Sequence, residues 1–134
     1  MKEEAIGAGL DANEVVAYSD SLKELGITSQ AVRDQIAIDH AIMNQGAKEI
    51  NDNWEEWQKL LSIKGTMDYT KALGEMNKSA KKLLGITEDL SDSFLENEKN
   101  QELIKKAANG NKQALAELRK EAAKDIFKNM GKDG

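Results

Sequence analysis

The sequence predicts an all-α protein, and three observations support that prediction. None of its 134 residues is proline, although about 5% is average and a proline inside a helix costs about 3 kcal/mol. Ala, Leu, Lys, Glu and Gln, which favour helices, dominate the composition. Apolar residues recur at steps of three and four along most of the chain. We therefore predict an elongated antiparallel helical hairpin, a long helix at about 29–63 against one at 68–84, with shorter N- and C-terminal helices.

The N-terminal region predicts a tail followed by one short helix. Residues 1–10 contain two glycines and no periodicity, so we expect a mobile start there. Asp11 is placed to cap the helix, with Glu14 as its capping-box partner, and Gly26 ends it. The expected buried stripe consists of Val15, Tyr18, Leu22 and Leu25.

The four-letter run LGIT occurs at residues 25–28 and again at 84–87. Its glycine suits the left-handed end of a helix, and Thr28 or Ser29 can cap the helix that follows. Two interpretations stay open. We favour reuse of a good stop-and-start signal over a 59-residue repeat.

Each arm of the predicted hairpin carries an apolar seam with alternating steps of four and three, which is typical of coiled coils. The seam of the first arm consists of Ile36, His40, Met43, Ala47, Ile50, Trp54, Trp57 and Leu61. The seam of the second arm consists of Tyr69, Leu73, Met76, Ala80 and Leu83. An antiparallel register centred on the turn at 64–67 pairs the two seams residue by residue.

Two features of the hairpin stay open at this point. The helices can pair within one chain or between chains. Gly46 can break the first arm or let a neighbour approach closely, and we favour one helix with any bend at Gly46.

Shorter helices are predicted in the C-terminal part of the chain. The predicted pieces are one or two turns within 88–96, a helix around 98–109, a last helix capped by Asn111, and a frayed tail at 131–134. The predicted subregions are therefore 1–28, 29–84 and 85–134.

No catalytic, cofactor-binding or metal-binding residue is predicted, and we do not expect an enzyme. The chain has no cysteine and a single histidine, His40. We interpret His40 as a polar residue that sets helix register rather than as a pH-sensitive contact, and it lacks a second histidine for metal binding. Trp54 and Trp57 lie on the seam, so we interpret them as core anchors rather than as a surface that stacks a ligand.

Charge and hydropathy exclude two classes of partner. The net charge is −5, with acidic and basic residues interleaved, so we expect no nucleic-acid specificity. The longest apolar run, residues 15–18, is too short for a membrane span or a signal-peptide core.

Several runs within residues 47–127 are distinctive. Asn53-Trp54 opens the predicted hairpin, and three further runs are LSDSF at 90–94, AANG at 107–110 and ALAEL at 114–118. With these runs, about 80 of the 134 residues resemble segments of tape measure proteins of long-tailed bacteriophages and prophages.

This resemblance implies a helical spacer and scaffold that acts in tail assembly and tail length determination. It implies a place in the tail tube lumen of the virion, with other copies and other tail proteins as partners. It also implies that the chain is an excised piece of a longer protein, and it carries over no catalytic residue. The alternative is a helical protein–protein interaction module of a bacterial or mobile-element protein, which we would expect in the cytoplasm.

Overall fold

The computed structural model describes residues 10–133, and this range is all-α. It contains six helices and no strand, so the predicted fold class is confirmed for the described residues. The helices are α1 (Ala12–Glu24), α2 (Gln30–Leu60), α3 (Met67–Leu84), α4 (Asp92–Glu96), α5 (Glu98–Ala108) and α6 (Lys112–Asp133). The expected mobile start at 1–10 lies outside the described residues except for Leu10.

Local capping chemistry sets the helix ends. The Asp11 carboxylate accepts hydrogen bonds from the backbone N–H groups of Asn13 at 3.0 Å and Glu14 at 3.3 Å, and α1 begins there. The Thr66 hydroxyl accepts one from the Tyr69 N–H at 3.0 Å at the start of α3. Gly85 ends α3 with a φ of 70°, a left-handed conformation that glycine adopts without strain.

The long helix α2 continues through Gly46 without a break, as the sequence favoured. At the other end of the chain the frayed tail expected at 131–134 is wrong for residues 131–133, whose backbone is helical, and residue 134 lies outside the described residues. Gly131 is the residue there that weakens a helix most, and glycine costs a helix only about 1 kcal/mol relative to alanine. That cost is too small to end α6 by itself.

The chain divides into two compact units, the first ending at Gln45 and the second beginning at Gly46. The division falls inside α2. The three predicted subregions, with limits at residues 28 and 84, stay a prediction.

In the first unit, α1 packs against the N-terminal half of α2. Val15 and Ala37 are almost fully buried and form the centre of this contact. The partly buried side chains around them are Leu10, Ala12, Tyr18, Ile38 and Ala41. Leu25 is a correction to the predicted buried stripe, because its side chain is 78% exposed. Helix α1 ends at Glu24, and the positive φ of Gly26 turns the chain so that Ile27 bonds back to Leu22 instead.

The second unit holds the larger core. Its most deeply buried large side chains are Ile50, Trp57, Met76, Leu95, Ile104 and Leu118. Helix α5 packs along α6, and the short α4 contacts both α3 and α5. Side chains from the second half of α2 and from every later helix therefore contribute to one apolar interior.

Candidate functional site

The structure buries much of the predicted seam. The buried seam residues are Ile50, Trp57, Leu73, Met76, Ala80 and Leu83. The half-buried ones are His40, Met43, Ala47, Trp54, Leu61 and Tyr69. Ile36 departs from the prediction with 36% exposure, whereas the adjacent Ala37 is 1% exposed. The stripe shifts by one residue there because Ala37 is the side chain that meets Val15 of α1.

Gly46 lies where α2 approaches the backbone of α3 closely. A Cβ atom at position 46 would lie 2.7 Å from the carbonyl oxygen of Ser79 and 2.8 Å from the backbone nitrogen of Leu83. Both distances are shorter than van der Waals contact allows. Only glycine therefore fits this helix crossing, which explains a residue that otherwise weakens a helix.

Glu49, one turn after Gly46, ties the same two helices together. One carboxylate oxygen accepts a hydrogen bond from the Ser79 hydroxyl at 2.9 Å, and the other is 2.6 Å from the Lys82 ammonium. Both charged side chains are about 30% exposed, at 31% and 29%. The ion pair is thus partly shielded from water and supported by a second hydrogen bond, which makes it stronger than a surface pair.

The two tryptophans of the seam have different surroundings. Trp57 is 1% exposed, and its indole N–H donates to a Glu75 carboxylate oxygen at 2.9 Å. Trp54 is half-buried, and the Lys105 ammonium lies 5.6 Å from its ring centroid, within the range of a cation–π interaction. Trp57 therefore anchors α2 to α3, whereas Trp54 faces α5.

Asn51 adds a polar contact between α2 and α5. Its side-chain amide donates to the Ala108 carbonyl at 3.2 Å, and its amide oxygen accepts from Lys105 at 3.1 Å. The amide group therefore satisfies a carbonyl at the C-terminal end of α5, where intrahelical donors are missing. Lys105 is held at the same time by Asn51 and by the face of Trp54.

Hydrogen bonds hold the segment before α4, at residues 89–91, to α3 and α6. Asn77 and Lys81 of α3 both bond the Asp89 carboxylate, at 3.2 and 2.7 Å. Asp125 of α6 accepts from the backbone N–H of Ser91 at 2.9 Å and from its hydroxyl at 2.6 Å. Ser91 is also the N-cap of α4, so one residue begins a helix and joins it to another. The Lys81 ammonium, with help from Asn77, lowers the pKa of Asp89.

Tyr69, Glu96 and Lys64 form a charged hydrogen-bonded group near the start of α3. The Tyr69 hydroxyl donates to the Glu96 carboxylate, and the Lys64 ammonium lies 3.2 Å from the same oxygen. The hydrogen bond to Glu96, together with burial, raises the pKa of Tyr69 to about 12. The same hydrogen bond, followed by the one from Lys64, lowers the pKa of Glu96. The group favours a protonated phenol and an ionised carboxylate.

His40 stacks on Tyr18 in the first unit. The ring centroids are 4.2 Å apart and the planes differ by 7°. The pair lines an open groove together with Glu14, Ala17 and Ser21. His40 therefore acts here as a packing partner of an aromatic ring.

Gly74 lies between two shallow grooves on α3, of about 410 Å³ and about 400 Å³. One is lined by Tyr69, Leu73 and Leu95, and the other by Lys71, Lys78 and Asp89. A Cβ atom on Gly74 would meet no atom within 4 Å, in contrast to Gly46.

The net charge is confined to the first part of the chain. Residues 1–45 contain eight acidic and three basic residues, whereas residues 46–134 contain sixteen of each. Acidic and basic residues are therefore balanced in the second unit, as their interleaving along the sequence suggested. The excess of negative charge lies before Gly46.

Across residues 10–133 the structure brings no group of three or more His, Asp or Glu side chains close enough to hold a metal ion. Within the same range no helix combines the length and apolarity that crossing a bilayer requires. Every buried side-chain nitrogen and oxygen of the described residues has a hydrogen-bond partner. The buried polar side chains thus form hydrogen bonds that join helices to each other or cap helix ends.

Sequence reasoning missed the residues that make these joints, namely Glu49, Asn51, Asp125 and the pairing of Glu75 with Trp57. Only Ser91, followed by the acidic Asp92, carried a local signal, that of a helix N-cap. Comparison of the chain with protein-family models, with curated proteins and with solved structures finds no match.

Proposed function

We propose that the chain is a structural segment of a phage tail tape measure protein, a helical spacer and scaffold in tail assembly and tail length determination. According to this proposal the chain has a mechanical role, and none of its residues catalyses a reaction. The observation that supports it best is that polar side chains form hydrogen bonds between helices. Glu49, Asn51, Glu75 and Asp125 each join one helix to another.

The proposal includes the hairpin, with the helix at about 29–63 paired antiparallel with that at 68–84. Three contacts support it: Gly46 against Leu83, Glu49 with Lys82 and Trp57 with Glu75. Each joins positions within two residues of the antiparallel register derived from the seams. A single helix pair closed by a short turn would make a stiff spacer.

The phage assignment is supported by the resemblance of residues 47–127 to tape measure segments. On this proposal the segment acts within a longer protein in the tail tube lumen, in contact with other copies and other tail proteins. The parent reading frame provides a first test. We expect a frame several times longer than this chain beside tail-tube and tail-tip genes, and a stand-alone short gene would contradict the proposal.

Tail length provides a quantitative test. An in-frame deletion of residues 29–84 from the parent removes about 84 Å if they form one extended helix, at about 1.5 Å per residue. It removes about 50 Å, the length of the longer arm at 29–63, if they form a hairpin, and electron micrographs of assembled tails distinguish these values. Replacement by an unrelated helical hairpin of equal length should restore the tail. Tails of unchanged length after the deletion would exclude a spacer role.

The second candidate is a helical interaction module that binds another protein. Exposed apolar side chains in the first unit favour it, since Leu25 is 78% and Val32 is 49% exposed. Sedimentation velocity separates the candidates in part. A spacer should self-associate or sediment as an elongated particle, whereas a recognition module should sediment as a compact monomer.

A further inference from the structure

Gly74 is a helix-interior glycine that nothing in its own chain explains. It is exposed in the middle of α3, and a Cβ atom there would meet no neighbour within 4 Å. A glycine at such a place weakens the helix relative to alanine. Gly46, also inside a helix, shows what such a glycine permits, because the backbone of α3 passes over it. Gly74 offers the same close approach to a helix from outside.

The face of α3 that holds Gly74 is basic, although the two grooves beside it also include the acidic residues Glu75, Asp89, Asp92 and Glu96. The residues three, four and seven positions away share its face: Met67, Thr70, Lys71, Asn77, Lys78 and Lys81. This set, which we call the lysine face, contains three lysines and no acidic residue. Lys71 and Lys78 are exposed, and Lys81 bonds to Asp89. Lys71 and Lys78 therefore remain for an acidic partner helix, which needs a small residue opposite Gly74 for close approach.

Helix α1 has a face of that kind. Ala17 is exposed, and the residues of α1 that lie three, four and seven positions from it are Asn13, Glu14, Asp20, Ser21 and Glu24, all exposed. This set, the acidic face, contains three carboxylates and no basic residue. It lies in the part of the chain that carries the whole net charge of −5. The small residue in the centre matches Gly74, and the flanking charges are opposite.

We propose that the acidic face of one copy packs on the lysine face of a second copy. In an antiparallel arrangement Ala17 lies against Gly74, Asp20 comes near Lys71, and Glu14 comes near Lys78. Small residues at the centre let the two backbones approach, and antiparallel helix dipoles attract each other. The inference rests on the proposed spacer function. It adds that the partner is a second copy of the chain and that this copy binds through the lysine face.

The size and charge of the contact set its expected strength. One helix pair buries less than the roughly 1,200 Å² of a standard interface, so we expect weak association, detectable from about 10 μM to about 1 mM. Since exposed charges contribute to it, association should weaken as salt increases.

Charge reversal tests the pairing. Sedimentation equilibrium should show association of the wild-type chain and at least about tenfold weaker association of Lys71→Glu/Lys78→Glu and of Glu14→Lys/Asp20→Lys, each alone. An equimolar mixture of the two variants pairs acidic with basic faces again, so association should return to within about threefold of wild type. Lys112→Glu/Lys120→Glu, the same charge change on exposed residues of α6, should associate as wild type does.

Gly74→Leu tests the close approach without changing any charge. Its side chain enters open space in the isolated chain, so circular dichroism should show unchanged helix, while association should weaken by about tenfold or more. A monomeric wild type, undiminished association of either charge-reversed variant, or a mixture that fails to recover would each overturn the contact. None of these outcomes touches the tail-length test, so failure of this inference is distinguishable from failure of the proposed function.

Discussion

Individual side chains decide how firmly the helices of the second unit are joined, and Trp57 is the largest of those that are fully buried. It is 1% exposed and donates its indole N–H to Glu75. Truncating it leaves a cavity in the core and removes the hydrogen bond to Glu75. The residue scale is therefore where the seam can be tested most directly.

Trp57→Ala should lower the free energy of unfolding by about 3–5 kcal/mol, because the cavity cannot be filled by its neighbours. Urea denaturation of the two proteins measures the difference. Trp54→Ala is the matched control and should cost less, since Trp54 is only half-buried. A loss below about 0.5 kcal/mol for Trp57→Ala, typical of surface sites, would mean that the seam lies on another face.

Gly46→Ala and Gly74→Ala should shift stability in opposite directions. A Cβ at position 46 would clash with the Ser79 carbonyl at 2.7 Å, so we expect a loss of about 1–3 kcal/mol. A Cβ at position 74 meets nothing in the chain, so the better helix former should add up to about 1 kcal/mol. Thermal unfolding at low protein concentration measures both. Equal effects of the two changes would contradict the close approach at Gly46.

The Tyr69–Glu96 hydrogen bond should make stability depend on pH at both extremes. The raised pKa of Tyr69 means that its contribution is complete below its ordinary value of 10.0 and is lost as pH rises towards about 12. The lowered pKa of Glu96 means that its contribution is complete above the ordinary value of 4.5 and is lost as pH falls below it. Unfolding free energies across pH measure both limbs. Tyr69→Phe should flatten the alkaline limb, whereas a flattening by Tyr18→Phe instead would contradict the assignment.

At the scale of elements, α4 shows that a short helix depends on its surroundings. It has five residues, too few for stability in isolation. Its N-cap Ser91 is held by Asp125 of α6, and Phe94 and Leu95 are buried. The helix exists because a cap, a carboxylate from another helix and two core side chains coincide.

Asp125→Ala should therefore weaken α4 specifically. The Ser91 N–H and hydroxyl lose their acceptor, and we expect a loss of about 1–3 kcal/mol in unfolding free energy. Hydrogen exchange at residues 92–96 should accelerate more than exchange within α5. Ser91→Ala combined with Asp125→Ala should cost less than the sum of the single changes, because they remove the same bond. Strict additivity would show that the two residues act independently.

At the scale of the whole molecule, the second unit contains its own core, its own helix joints and a balance of acidic and basic residues. Its buried side chains come from five helical segments, the second half of α2 and the four later helices, and the hydrogen bonds of Glu49, Asn51 and Asp125 all end within it. A unit with a complete interior can fold without the rest of the chain.

A fragment of residues 46–134 should accordingly fold alone and unfold in one cooperative thermal transition, followed by circular dichroism. A fragment of residues 64–134, which lacks Ile50 and Trp57, serves as the control and should lose cooperativity. A gradual, non-cooperative melt of the longer fragment would show that its core is incomplete.

The sequence by itself determined the helices and most of their ends. Absence of proline, the three-and-four spacing of apolar residues and caps such as Asp11, Thr66 and Gly85 are local, so they can be read from residues close along the chain. It also predicted that α2 continues through Gly46. It predicted that Trp57 is buried, because a residue on an apolar seam faces a neighbouring helix even when that helix is not yet identified.

Only the tertiary structure decided which neighbours those faces meet. Ile36 is exposed while Ala37 is buried, because α1 contacts α2 one residue off the predicted stripe. Partners such as Glu49 with Lys82 or Ser91 with Asp125 lie more than thirty residues apart, and no local pattern links them. The tertiary structure also decides which charged residues lie on the same surface. Lys71 and Lys78, on either side of Gly74, are exposed together because the opposite side of α3 packs against the core.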